Sequence, residues 1–170
     1  MDITLSPQEI APILESLPEN LDQLRKSAVL AAYSLVGKVN YFWGGKSTVI
    51  GWDSRWGTLM KVTAEDSPTT GTVRPFGLDC SGYVTWVYVN ATGSADAVEI
   101  IRHGVSSQYA ACISISWSQV QPGDLAFYQD LSHVGIVVGE NGNLLIAHCS
   151  SGHNNVGCPA CPVQAHPAFI

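Results

Sequence analysis

The chain of 170 residues carries 8 Lys and Arg against 14 Asp and Glu, a formal net charge of −6. With 46% hydrophobic and 13% charged residues it can build one ordinary folded core, and intrinsic disorder is excluded. The acidic balance without any Lys/Arg cluster argues against a nucleic-acid partner, and no apolar run reaches the ~18 residues of a membrane-spanning helix.

At the head of the chain, Ser6-Pro7-Gln8-Glu9 places an N-cap hydroxyl, a proline at the first helical position and a glutamate in capping-box position. Ile10, Ile13, Leu14 and Leu17 then share one helical face, and Pro18 ends the run. A second helix is expected from about Asn20 to Val36, with Leu21, Leu24, Ala28, Ala31 and Leu35 apolar and Gly37 as its cap. Residues 1–37 thus read as a helical element packed within a single domain, 1–170. No basic stretch followed by an apolar one opens the chain, so no signal peptide is visible. That fits a trimmed or mature domain, or a protein that is intracellular or otherwise delivered.

Residues 46–76, rich in Gly, Ser, Thr, Asp and Pro, show no period and read as a long surface insertion loop. Tyr83, Val84, Trp86 and Val87 mark a mostly buried helix from Cys80 to Asn90, whereas 94–118 is ambiguous between short helix and loop. Strand signals cover Asp124–Gln129, His133–Gly139 and Asn143–Cys149, with Asn141-Gly142 as a hairpin turn. Helices first and strands later predict an α+β architecture with an antiparallel sheet.

Cys80 stands at the start of the third expected helix. There the helix dipole and unpaired N–H groups favour a thiolate, and the same N–H groups can hold an oxyanion. By itself a cysteine before a helix is more often structural than nucleophilic. The hairpin adds to it. A two-residue Asn141-Gly142 turn pairs 140 with 143, so His133 falls opposite Ser150, and His148 projects from the same face. His148 is then placed to fix the tautomer of His133, while a one-residue slip would put the two on opposite faces.

Five cysteines, Cys80, Cys112, Cys149, Cys158 and Cys161, leave one odd thiol. Cys158-x-x-Cys161 with Cys149, His153 and His166 nearby offers zinc ligands, but only one of the two usual Cys-x-x-Cys pairs is present. A disulfide competes with zinc, free thiols lead both, and no metal or cofactor is expected. Gly45-Lys46-Ser47 looks like the end of a phosphate-binding loop, yet Asn40 stands where glycine is needed and Tyr41, Phe42 and Trp43 fill the loop. Neither His-Glu-x-x-His nor Gly-x-Ser-x-Gly occurs.

Four segments in order resemble the NlpC-type cell-wall cysteine peptidases. They are Tyr41-Phe42-Trp43-Gly44-Gly45, Asp79-Cys80-Ser81-Gly82, Gln121-Pro122-Gly123-Asp124-Leu125 and Ser132-His133-Val134-Gly135-Ile136. Arg102 and Gln108 fit the segment between the second and third. The resemblance runs from about Tyr41 to Ser150, broken by 46–76. It implies a papain-like α+β fold, N-terminal helices packed with a central antiparallel sheet, and Cys80 as nucleophile at a helix N-terminus. His133 would be general base and acid, and His148 the orienting third member. Tyr41 would assist the oxyanion or substrate, and Asp79, Ser81 and Ser132 would line the substrate site. Trp43, Gly44, Gly45, Arg102, Pro122 and Asp124 would be structural.

The implied reaction is hydrolysis of peptidoglycan stem peptides at the bond between D-γ-glutamyl and a diamino acid, meso-diaminopimelate or L-Lys. It would pass through a thioester, without cofactor, in a secreted or wall-associated bacterial protein. Amidase or acyl-transfer chemistry on the same triad, a binding module that holds wall peptide uncut, and a toxin-like delivered effector are the competing readings. Two departures stand out. The insertion is longer than the resemblance leads one to expect, so Trp52, Asp53, Arg55 and Trp56 would roof or reshape the groove. The tail from Gly157 through Cys158 and Cys161 to Ile170 has no counterpart.

Overall fold

The computed structural model describes residues 5–141, 143–157 and 165–169. Helix α1 (Pro7–Glu15) starts where its capping box predicts: the Ser6 hydroxyl accepts from Glu9 N–H and Glu9 Oε2 accepts from Ser6 N–H at 2.7 Å. Helix α2 (Gln23–Ser34) begins later than its apolar pattern suggests, because Asp22 takes the cap and accepts from Arg25 N–H at 2.9 Å. Helix α3 (Cys80–Thr92) is buried nearly all round and is the central helix, ending at Gly93 in the left-handed conformation. The Tyr83 hydroxyl ties it to α2 by donating to the Ala32 carbonyl at 2.6 Å.

The ambiguous stretch 94–118 resolves into a 3₁₀ turn (Ala95–Ala97), α4 (Val98–Ile101) and α5 (Val105–Ala111). Strand Ile113–Ser114 and a second 3₁₀ turn (Trp117–Gln119) complete it. Buried Gln108 holds this segment against α3, its Nε2 donating to the Ser81 carbonyl at 3.0 Å and to the Arg102 carbonyl at 3.2 Å.

The insertion is not a structureless surface loop. It contains a two-stranded antiparallel ribbon, β1 (Leu59–Lys61) and β2 (Val73–Pro75). Ahead of the ribbon, the chain packs along the C-terminal half of α3: Trp56 is buried between Trp52 and Trp86, and Trp86 Nε1 donates to the Gly51 carbonyl. Buried Asp53 accepts from Ser47 Oγ at 2.8 Å and from Arg55 Nη2 at 2.6 Å. Trp52, Asp53, Arg55 and Trp56 therefore do not roof a groove, which corrects that expectation; they anchor the insertion to the core.

Strand Ile113–Ser114 is β3. It joins β4 (Leu125–Tyr128), β5 (Val134–Asn141), β6 (Asn143–Ser150), β7 (Asn155–Gly157) and β8 (Ala165–Phe169) in one sheet of order β3-β8-β4-β5-β6-β7. All its pairs are antiparallel. Residues 165–169 of the tail are thus part of the sheet, with Leu125 facing Ala168.

The long hairpin corrects the expected turn. Asn141 faces Asn143 and Glu140 faces Leu144, one residue away from the two-residue arrangement; Gly142 itself lies outside the described residues. A bulge at Val138 absorbs the offset, so Val137 faces Ile146 and Ile136 faces Ala147. The half of the hairpin nearest the histidines therefore keeps the register expected from the sequence.

The turn before β4 is clamped to α2. Arg25 Nη1 donates to buried Asp124 Oδ1 at 2.6 Å and to the Pro122 carbonyl at 3.2 Å, and the Tyr88 hydroxyl donates to the Gly123 carbonyl. No helix among the described residues is long and apolar enough to cross a membrane.

Candidate active site

Asp79 caps α3 and accepts from Gly82 N–H at 2.7 Å, which sets Cys80 in the first turn. The segment Tyr41–Gly45 lies directly against this helix start. Phe42 N–H donates to the Leu78 carbonyl at 2.9 Å and Asp79 N–H to the Gly45 carbonyl at 3.1 Å. Three glycines permit the approach. A Cβ on Gly82 would stand 2.1 Å from the Gly45 oxygen, one on Gly45 2.3 Å from the Gly77 oxygen, and one on Gly77 1.8 Å from the Asn40 oxygen. Backbone meets backbone there, and no side chain fits.

Across from the helix, His133 Nε2 lies 2.6 Å from His148 Nδ1. Gly135 sits on the same strand face between them, where a Cβ would come within 2.5 Å of Ile146 Cγ2 and 3.1 Å of His148 Cβ. Tyr128 packs its ring 5.0 Å from that of His133, and His153 follows His148 at 6.2 Å. The backbone N–H of Val134, the neighbour of His133, lies close enough to the Cys80 sulfur to pull the thiol pKa down. The expected triad residues thus come from the start of α3 (Cys80), the residue just ahead of β5 (His133) and β6 (His148).

The electrostatics differ from the thiolate expected at a helix start. Burial, then the Asp79 carboxylate, push the Cys80 thiol up to about 11, and these outweigh the bond from Val134 and the Lys46 charge, which pull it down. Burial and the neighbouring His148 hold His133 down to about 4. His148 is lowered as well, by burial and then by His153. Burial thus favours the protonated thiol and the uncharged imidazole.

Tyr41 stands beside the nucleophile. Its hydroxyl is pushed well above the ordinary phenol range by burial, then by Cys80, Asp79 and Cys149. Asp79 and Ser81 are buried and turned toward Lys46, whose Nζ donates to Asp79 Oδ1 and Oδ2 at 2.6 and 2.7 Å and to Ser81 Oγ at 2.8 Å. Their side chains serve the helix start and not an open substrate wall. Ser132 is exposed and donates its hydroxyl to Asp130 at 2.6 Å.

Lys46 is the site residue that the sequence pattern does not single out: its neighbours suggest only a remnant of a phosphate loop, and in the fold it is the countercharge of the N-cap. Cys149 is a free, buried thiol beneath the site, donating to the Leu78 carbonyl at 3.1 Å, and Cys80 and Cys112 are also free. Cys158 and Cys161 lie outside the described residues, and among the described residues no cluster of His, Cys, Asp and Glu is arranged to hold a metal.

A groove of about 280 Å³ opens beside Tyr41. Residues 66–69 and Arg74 of the insertion bound one side, and Ser151 and Asn154 bound the other.

A cysteine at the N-terminus of a central helix, set against an antiparallel sheet that carries paired histidines, defines the papain-like α+β class. Residues 37–159 match the model of the NlpC/P60 family. The chain belongs to that family. It is similar to the probable endopeptidase p60 of Listeria monocytogenes, 41% identical over 76 residues, which is 43% of this chain and 14% of that protein. Among solved structures, the peptidoglycan hydrolase RipB of Mycobacterium tuberculosis superposes with a TM-score of 0.60 at 23% identity, over 96% of this chain and 70% of that one. RipD of the same organism, described as a non-catalytic NlpC/p60 domain protein adapted to peptidoglycan binding, gives a TM-score of 0.61 at 18% identity, over 87% and 96%. At these identities the two structures are evidence of fold. The match spans about a seventh of the Listeria protein's length.

Proposed function

We propose that this chain is a cysteine endopeptidase acting on peptidoglycan stem peptides at the bond between D-γ-glutamyl and a diamino acid, meso-diaminopimelate or L-Lys. The observation that carries the reading is the 2.6 Å pairing of His133 with His148, next to Val134, whose N–H acts on the Cys80 thiol. For His133 to take the thiol proton on Nδ1, its Nε2–H must donate to His148 Nδ1. His148 then carries its proton on Nε2, a buried nitrogen without a partner among the described residues.

Because thiol and imidazole are both neutral at rest, proton transfer accompanies attack. His133 accepts the Cys80 proton as sulfur bonds to the scissile carbonyl carbon. The Cys80 N–H at the helix start, with the Tyr41 hydroxyl, faces the developing oxyanion. His133 next protonates the leaving amine. A thioester remains, and water activated by the same imidazole hydrolyses it, returning the free thiol. Membership of the NlpC/P60 family supports a wall substrate and a wall-associated or extracellular site of action.

A second reading, a domain that holds wall peptide without cutting it, is favoured by the raised thiol and by the non-catalytic description of RipD. One experiment decides between them. The protein and Cys80→Ala are incubated with a defined stem peptide and the products read by mass spectrometry. Fragments split after D-γ-Glu, from the unaltered protein alone, are expected. Binding without cleavage would establish the second reading, and cleavage persisting in Cys80→Ala would remove the thiol mechanism.

A further inference from the structure

Arg74 sits on β2 opposite Met60 and lines the groove beside Tyr41. Its Nε donates to Thr72 Oγ1 at 3.0 Å, which fixes one edge of the guanidinium and leaves its terminal nitrogens for another acceptor. The other cations that the insertion places near the site are already committed: Lys46 is paired with Asp79 and Arg55 with Asp53. Arg74 forms no ion pair among the described residues, and Asp66, which lines the same groove, is not paired with it. Tyr41 is common to the groove and to the surroundings of Cys80. Tyr41 thus links the groove, with its unpaired guanidinium, to the surroundings of the nucleophile.

The chemistry of the substrate supplies the matching group. A glutamyl residue linked through its γ-carbonyl keeps its α-carboxyl out of the chain, a free carboxylate unless amidated, three carbons from the carbonyl under attack. Diaminopimelate carries a further carboxylate on the other side of the same bond, and L-Lys does not. We propose that Arg74 reads a stem-peptide carboxylate through its terminal nitrogens, an assignment that rests on the endopeptidase reading. The insertion thus supplies a specificity determinant, made by a fork that matches a carboxylate bidentately.

The test uses synthetic stem peptides with the D-glutamyl α-carboxylate free or amidated, each followed by meso-diaminopimelate or L-Lys. The unaltered protein is expected to favour a carboxylate-bearing peptide over its uncharged counterpart by about tenfold in kcat/KM, carried in KM, and Arg74→Gln to flatten the ratio to about twofold or less. A ratio that appears between the glutamyl forms assigns the α-carboxylate; one between the diaminopimelate and lysine forms assigns the side-chain carboxylate. Equal use of all the peptides by the unaltered protein, or a ratio that survives in Arg74→Gln, overturns the assignment. Dissociation constants for the same peptides, measured on Cys80→Ala with and without Arg74→Gln, read the ratio independently of cleavage. If nothing is cut but the ratio appears in those constants, the endopeptidase reading falls and the Arg74 assignment stands. If the peptides are cut with a flat ratio, the Arg74 assignment falls and the endopeptidase reading stands.

Discussion

At the scale of single residues, the site is governed by how burial divides protons between sulfur and nitrogen. With Cys80 raised to about 11 and His133 lowered to about 4, the competent protonation state spans the whole neutral range. Activity is therefore expected to fall as pH drops through about 4, where His133 gains its proton, and not through the ordinary histidine value of 6.5. Stability moves in the same direction. An unfolded chain protonates this histidine at its ordinary value and the folded one does not, so folding stability is complete above about 6.5 and declines toward about 4. A pH series of kcat/KM with parallel thermal melts checks both; an acid limb near 6.5 would mean a solvated imidazole. Cys80 and His133 were legible as candidates because each stands in a motif, and His148 because strand alternation places it on the face of His133. Lys46 and Arg74 were not, since a lone cation carries no sign of which carboxylate it will meet.

At the scale of elements, the helix start works because glycine recurs where three backbone segments touch. Gly82→Ala would drive a Cβ to 2.1 Å from the Gly45 oxygen, at a cost of roughly 1–3 kcal/mol as the backbones part. Cleavage should be lost with it, because Cys80 rides on the displaced turn. Gly93→Ala is the control: its φ is +70° and nothing stands within 4 Å of the added carbon, so about 1 kcal/mol of left-handed strain is expected with the site undisturbed. Denaturant unfolding beside the peptide assay separates the two, and an active Gly82→Ala would refute the packing argument. The caps of α1 and α3 were readable from short-range chemistry. The insertion was not. Its buried residues, Ser47, Asp53, Trp56, Val62 and Phe76, follow no period, and strands of three residues are too short to show alternation.

For the whole molecule, the helical N-terminal part and the sheet are joined by a contact that no local pattern announces, Arg25 of α2 with Asp124 ahead of β4. Arg25→Met leaves that carboxylate, 1% exposed, without its countercharge. A loss of about 3 kcal/mol and a drop of roughly 10 °C in Tm are expected, with Asp124→Asn in the same chain restoring part of it; a Tm unchanged by Arg25→Met would show the pair to be dispensable. The order of helices and strands, and hence the α+β class, followed from the sequence. The return of β8 to pair with β4 did not, because the tail carries no strand signal as strong as those of the long hairpin.

Keeping the proton on sulfur also bears on chemical durability. Peroxide and electrophiles attack thiolates far faster than thiols, so a sulfur that keeps its proton until a peptide arrives is a poor target for oxidation. On the proposed mechanism, sulfinic damage would be confined to the brief interval in which His133 holds that proton. A thiol held in this way is expected to withstand peroxide without a reductant.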